Sequence, residues 1–114
     1  IELDPDEPMV RNNLGLVHYL LEDFDTARAY YDEEIRRNPW YPDSHYNLGL
    51  LWARLDRLDA AVQEWERAIE VDPDYAAPYE MLARYYQDRD PERFEHYRGQ
   101  LRRLGGRTLD EDEL

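Results

Sequence analysis

Apolar residues return along this chain at intervals of three and four. Between residues 42 and 55, His45, Leu48, Gly49 and Trp52 fall at i, i+3, i+4 and i+7, which is one face of a helix. Between 59 and 71, Ala61, Val62, Trp65, Ala68 and Ile69 make a second such face. The polar break Asp56-Arg57-Leu58 separates the two, and Asp59 is the expected N-cap of the second helix. Pro73 ends it, because proline lacks an N–H and disfavours helix at the residue before it. The same layout stands 34 residues earlier, with Arg11, Leu14, Gly15 and His18, then Ala27, Tyr31 and Ile35, then Pro39. The patterning predicts helices over 8–21, 25–37, 42–55, 59–71, 76–88 and 91–104.

The recurrence extends beyond hydropathy. Asn-Leu-Gly-Leu occurs at 13–16 and again at 47–50, and Asp4-Pro5, Asn38-Pro39 and Asp72-Pro73 keep the same spacing. About a third of the positions in 8–41 recur identically in 42–75. A period of this length marks a solenoid, in which each unit buries its apolar face on its neighbours. Glycine in a helix interior costs about 1 kcal/mol relative to alanine, so Gly15 and Gly49 need a reason. The expected one is close helix approach, with Ala27 and Ala61 as the matching small surface. Leu14 and Leu48 are expected to point inward, and Leu16 and Leu50 to the other side.

The second unit, His45-x2-Leu48-Gly49-x2-Trp52, Ala61-x3-Trp65, Pro73, resembles the tetratricopeptide repeat, whose pattern is W-x2-L-G-x2-Y, A-x3-F, P. The first unit carries it as Arg11-x2-Leu14-Gly15-x2-His18, Ala27-x3-Tyr31, Pro39. A third starts with Tyr79-x2-Leu82-Ala83-x2-Tyr86. Its second helix matches only loosely, with Phe94, Tyr97, Leu101 and Leu104 as an apolar stripe after a turn one or two residues short. The resemblance implies an all-α fold, an α-solenoid of antiparallel helix pairs in a right-handed superhelix of about six helices. Residues 1–5 read as the end of a preceding repeat helix and 6–105 as the repeat domain. Its units are 8–41, 42–75 and a variant third repeat or cap at 76–105, and 106–114 is expected to be an acidic flexible tail.

Charge narrows the partners. Formal net charge is −13, and all 14 cations are arginine. Such a surface repels phosphate backbones and anionic membranes, so neither nucleic acid nor membrane is an expected partner. No apolar run approaches the ~18 residues of a membrane span. Adaptation to a salty cytoplasm and an arginine-rich codon bias account equally well for the excess of acid and the absence of lysine. A cytoplasmic location is favoured. With no cysteine there is neither disulfide nor thiolate metal site.

Catalytic chemistry has no evident carrier. His18 and His45 occupy core-facing repeat positions and read as half-buried substitutes for aromatics, and His96 stands alone. No metal-binding spacing or phosphate loop occurs. An enzyme, a cofactor and a metal are therefore not expected. Glu34 stands where the second unit has Ala68, facing a neighbouring helix. It is expected to pair with His45 or an arginine, the alternative being a place at an exposed edge, since an unpaired buried carboxylate is costly.

In the tetratricopeptide family the first helices of successive repeats line a concave groove that binds peptides. Carried onto this chain, the groove positions are Met9, Asn12, Leu16, Tyr19 and Leu20, then Asp43, Tyr46, Asn47, Leu50, Ala53 and Arg54, then Ala77, Glu80, Arg84, Gln87 and Asp88. The expected binding set within them is Asn12, Leu16, Tyr19, Tyr46, Asn47, Leu50, Arg54, Glu80, Arg84 and Gln87. The family's carboxylate clamp for acidic chaperone tails is matched only by Asn47, because Asn12, Ala77 and Met81 stand where lysine or arginine is needed. The expected function is a module that binds a protein partner's peptide or helix. The alternative is a C-terminal capping segment of a longer solenoid, or a self-associating scaffold. The acidic tail is a candidate to dock on Arg54 and Arg84, and its final Asp-Glu-Leu resembles an endoplasmic-reticulum retention signal that nothing else in the chain supports.

Overall fold

The computed structural model describes residues 8–105, and within them the chain forms six α-helices. They are α1 (Pro8–Leu20), α2 (Phe24–Arg37), α3 (Pro42–Arg54), α4 (Leu58–Val71), α5 (Ala76–Tyr86) and α6 (Pro91–Arg103). Each matches a helix expected from the periodicity to within two residues at either end. Consecutive helices pack as the hairpins α1/α2, α3/α4 and α5/α6, and the hairpins stack through α2 on α3 and α4 on α5. The result is an α-solenoid, 45 Å long and 27 × 22 Å across.

Local chemistry sets the helix ends. Pro42 and Pro91 begin α3 and α6, where a missing N–H is harmless. The Asp23 and Asp90 carboxylates cap α2 and α6 by accepting from the Thr26 and Arg93 amides at 3.4 and 3.2 Å. Glu22 and Asp56, 34 residues apart, both take positive φ (61° and 62°) in the turn after the first helix of their unit. That turn returns the chain to helical geometry at Leu58, so Asp59 is not the N-cap. Arg57 occupies the cap without a side-chain bond, and Asp59 lies in the first turn. The third unit lacks the left-handed residue: Asp90, at the same repeat position, is extended (φ −150°) and caps α6 one residue early. This is the short turn read in the sequence.

The core lies largely between units. Ala27 and Tyr31 of the first unit pack with Leu48 and Leu51 of the second. Ala61, Val62 and Trp65 of the second pack with Tyr79, Leu82, Ala83, Tyr86, Phe94, Tyr97 and Leu101 of the third. Gly15 and Gly49 do serve close approach, but the facing group is aromatic. A Cβ on Gly15 would lie 2.5 Å from Tyr31 Cε1, and one on Gly49 would overlap the Trp65 indole. The glycine of the L-G motif and the aromatic of the A-x3-aromatic motif are thus one contact.

Polar groups replace aromatics at the first motif position. Arg11 Nε bonds Glu34 at 2.8 Å, both buried, and Asn38 Nδ2 donates to the other Glu34 oxygen. His45 Nδ1 lies 2.8 Å from Glu64, which also accepts from Arg67 at 2.9 Å. Glu34 is therefore paired through an arginine, and His45 has a carboxylate of its own. His18 is half-buried and stacked on Tyr30, while His96 is exposed.

Candidate interaction groove

The first helices carry two faces. One builds the core, through Leu48 and Gly49 on α3 and Leu82 and Ala83 on α5. The other holds the residues expected to bind a partner. On α1, Asn12, Leu16 and Tyr19 are spaced i, i+4, i+7 and so share a stripe. On α3, Asn47, Leu50 and Arg54 do the same at i, i+3, i+7, beside Tyr46.

The structure brings the α1 and α3 stripes together. Asn47 Nδ2 donates to Asn12 Oδ1 at 3.0 Å, and the Ser44 hydroxyl donates to the same oxygen at 3.4 Å. Asn12 is 6% exposed, while Asn47 is half-buried. Leu16 is 38% exposed, and Met9 and Leu20 on the same helix are more open. Tyr19 meets Phe24 edge-on at 5.8 Å, and Phe24 lies beneath the Arg54 guanidinium at 5.6 Å. Arg54 also holds Glu22 at 2.8 Å. Tyr46 and Leu50 rest half-buried on the core between the second and third units.

The third unit joins through charge. Burial pushes the Tyr46 hydroxyl pKa up, and the nearby Glu80 carboxylate and Tyr19 hydroxyl add to it. Glu80 pairs with Arg84 at 3.0 Å. At the helix junction, Tyr75 meets Tyr46 edge-on at 5.7 Å, and burial followed by the Asp43 charge raises the Tyr75 pKa. Gln87 caps α5 and lines, with Asp88, Pro91, Phe94 and Glu95, a cleft at the α5–α6 turn. The proposed tail dock lies outside the described residues; its would-be receptors Arg54 and Arg84 already hold Glu22 and Glu80.

A second surface stands out at the N-terminal end. Val10, Leu14, Val17 and Leu21 occupy the repeat positions of Ser44, Leu48, Leu51 and Leu55. Leu51 is 0% exposed beneath the preceding hairpin, whereas Val17 is 50% exposed. Beside this face a cleft of about 460 Å³ opens between α1 and α2, floored by Leu14, Ala29 and Tyr30 and edged by Arg11, Glu33 and Arg37.

Sequence reasoning did not single out Ser44, Phe24 or Glu64. Glu64 sits beside Trp65 on the apolar stripe of α4, and a carboxylate interrupting such a stripe was the available sign. Trp52 was expected in the core. It is half-buried, with the Arg28 guanidinium over its ring at 4.8 Å and Arg57 at 5.9 Å. Among the described residues no three histidine or carboxylate side chains converge to hold a metal ion, and no helix is long and apolar enough to cross a membrane.

The model of the tetratricopeptide repeat matches residues 1–39 and 12–80. The chain belongs to the tetratricopeptide repeat family. A UDP-N-acetylglucosamine–peptide N-acetylglucosaminyltransferase of Giardia intestinalis is 36% identical over 62 residues, which is 54% of this chain and 4% of that enzyme. The chain thus spans a small fraction of that relative. Among solved structures, MamA is similar at TM-score 0.77 with 20% identity, over 90% of this chain and 63% of MamA. The first tetratricopeptide domain of Spaghetti (RPAP3), bound to the HSP90 peptide SRMEEVD, is similar at TM-score 0.74 with 15% identity, over 97% of this chain and 89% of that one. At such identities the likeness is one of fold.

Proposed function

We propose that this tetratricopeptide chain is a protein-interaction module that holds a segment of a partner protein along α1, α3 and α5. The contact residues are Leu16, Tyr19, Tyr46 and Leu50, with Asn12 and Asn47 between the helices and Arg54, Glu80, Arg84 and Gln87 toward the edges. One observation carries the reading. Part-exposed aliphatic and aromatic groups recur on the first helices of successive units, Leu16 and Tyr19 on α1 and Tyr46 and Leu50 on α3, while Leu48 and Leu51 on α3 and Leu82 and Ala83 on α5 supply the core from the same helices. Tyrosine and arginine are typical anchors of protein interfaces. The Spaghetti domain, similar in fold, carries a peptide. Acidic chaperone tails are a poor fit, since Asn12, Ala77 and Met81 stand where a carboxylate clamp needs cations, and the −13 chain repels acidic segments.

The test uses the full chain as bait beside the variant Tyr46→Ala/Arg84→Glu, both checked for helical circular dichroism, at low and high salt. A partner held by the parent and lost from the variant is the expected result, with an affinity near ~1 μM, about −8 kcal/mol. Equal capture, or none, defeats groove binding.

The exposure of Val17 against the burial of Leu51 favours a second reading, in which the N-terminal face packs on a further helix hairpin and this chain caps a solenoid or scaffold. Val17→Glu/Leu21→Glu then abolishes any self-association seen by sedimentation and leaves groove binding intact. Identical sedimentation of parent and variant above the monomer mass removes that face from the interface.

A further inference from the structure

We propose that the partner segment is basic, and that one of its arginine side chains docks where α3 meets α5, with its guanidinium on the Asp43 carboxylate and against the rings of Tyr46 and Tyr75. This rests on the groove reading above and specifies the chemistry of what fills that groove. Tyr41 and Tyr75, 34 residues apart, each occupy the last position before the first helix of the next unit, extended and without a side-chain cap bond. Asp43 lies in the first turn of α3 and shares a stripe with Tyr46 and Leu50 at i, i+3 and i+7. The Tyr75 ring meets the Tyr46 ring edge-on at 5.7 Å, with 69° between their planes. Burial first, and then the nearby Asp43 carboxylate, raises the pKa of both the Tyr41 and the Tyr75 hydroxyl, so Asp43 stands between the two junctions. Asp43, Tyr41, Tyr46 and Tyr75 are all half-buried, and each keeps part of its surface open to solvent.

The Asp43 carboxylate lacks a counter-charge. The arginines of α1, α3 and α5 are Arg11, Arg54 and Arg84, and they hold Glu34, Glu22 and Glu80. Asp43 makes no ion pair among the described residues. Its neighbours are tyrosines, whose ring faces attract a cation. A half-buried anion beside aromatic rings, in a chain of net charge −13, is complementary to a positive side chain. Glu80 also faces Tyr46 from α5, with Arg84 holding it. Arginine fits this setting better than lysine. Its planar guanidinium can lie flat on a ring while the N–H fork reaches the carboxylate, whereas an ammonium is compact and strongly hydrated. The aliphatic stem can then lie along Leu50, one turn beyond Tyr46.

For the test, a random dodecapeptide library displayed on phage is selected on the immobilised full chain. Peptides whose binding is lost with Leu16→Ala/Leu50→Ala, a variant checked for helical circular dichroism, occupy the groove and are synthesised for fluorescence anisotropy. Each is scanned by alanine, and its critical arginine is replaced in turn by citrulline, the neutral isostere, and by lysine. The expected result is one arginine whose change to citrulline weakens binding about tenfold, the loss of a charge-assisted contact backed by a ring face. Lysine at that position binds more weakly than arginine. Asp43→Asn weakens the arginine peptide by the same factor and leaves the citrulline peptide unchanged, as coupled partners do in a double-mutant cycle. If Asp43 serves only the N-terminus of α3, Asp43→Asn moves both peptides alike, which overturns the proposal. If Asp43→Asn does not fold, the ring-proton shifts of Tyr46 and Tyr75 in the unaltered protein decide, and rings that respond identically to saturating arginine and citrulline peptides overturn it. Groove peptides without a critical arginine, or equal binding with lysine in its place, overturn the proposal and leave the groove reading standing. Failure to select any peptide that depends on Leu16 and Leu50 overturns both.

Discussion

Gly15 and Gly49 show how much one missing Cβ decides. Each gives its space to the ring of Tyr31 or Trp65 on the next helix. Gly99 on α6 is the internal contrast, because nothing lies within 4 Å of where its Cβ would be. Gly49→Ala should therefore destabilise by ~2 kcal/mol through overpacking. Gly99→Ala should stabilise by ~0.5–1 kcal/mol through helix propensity alone. Urea denaturation of the two variants checks the opposite signs, and a shared sign contradicts the packing account. Both contacts were foreseeable as close approaches from the cost of glycine in a helix. The ring that fills each space was not, since the heptad-like spacing says which face a residue is on but not which side chain of the partner helix meets it.

At the scale of the element, α2 carries most of the polar surprises. Its Glu34 is 0% exposed and satisfied by Arg11 and Asn38, while Glu33, one residue earlier, faces solvent between Arg36 and Arg37. Hydrogen bonds from Arg36 and then Arg37 hold the Glu33 pKa down, from 4.5 to about 2. A carboxyl lowered on folding adds stability that is complete above its unfolded value and disappears as pH falls through the folded one. Glu33→Gln should thus be less stable than the parent at neutral pH, and the gap should close between pH 4.5 and about 2. Thermal melts of both proteins across that window check it. A gap that stays constant with pH would assign the effect to something other than the Glu33 charge. The sequence placed Glu34 on a helix-facing position and demanded a partner. Its choice of Arg11 over His45 came from the tertiary structure, where Glu64 reaches His45 from α4.

For the whole molecule, most described arginines already hold a carboxylate, as in Arg11–Glu34, Arg54–Glu22, Arg84–Glu80 and Arg103–Asp74. The net charge of −13 is therefore left as carboxylates with few cations to answer them. Salt shortens the Debye length from about 10 Å at 0.1 M to about 3 Å at 1 M and should relieve this repulsion. The expected result is a melting temperature that climbs steadily with KCl into the molar range. A flat profile would remove salt adaptation as an account of the composition. The same charge argues against an acidic partner in the groove, which follows from composition alone and needs no coordinates.

The 34-residue period, the Leu-Gly and Ala-x3-aromatic spacings and the two proline stops were enough to read six helices and a solenoid. Those features are local and repeated, so each copy corroborates the others. The end of the second unit's turn was not legible. Asp56 goes left-handed and moves the helix start to Leu58, and no propensity distinguishes that from a cap at Asp59. The groove positions could be carried over by spacing. That Asn12 and Asn47 meet between α1 and α3 depends on how closely two helices, carrying residues 35 apart in sequence, approach. Such a distance is set by the packing of Tyr31, Leu48 and Leu51 beneath them, and only the folded hairpins decide it.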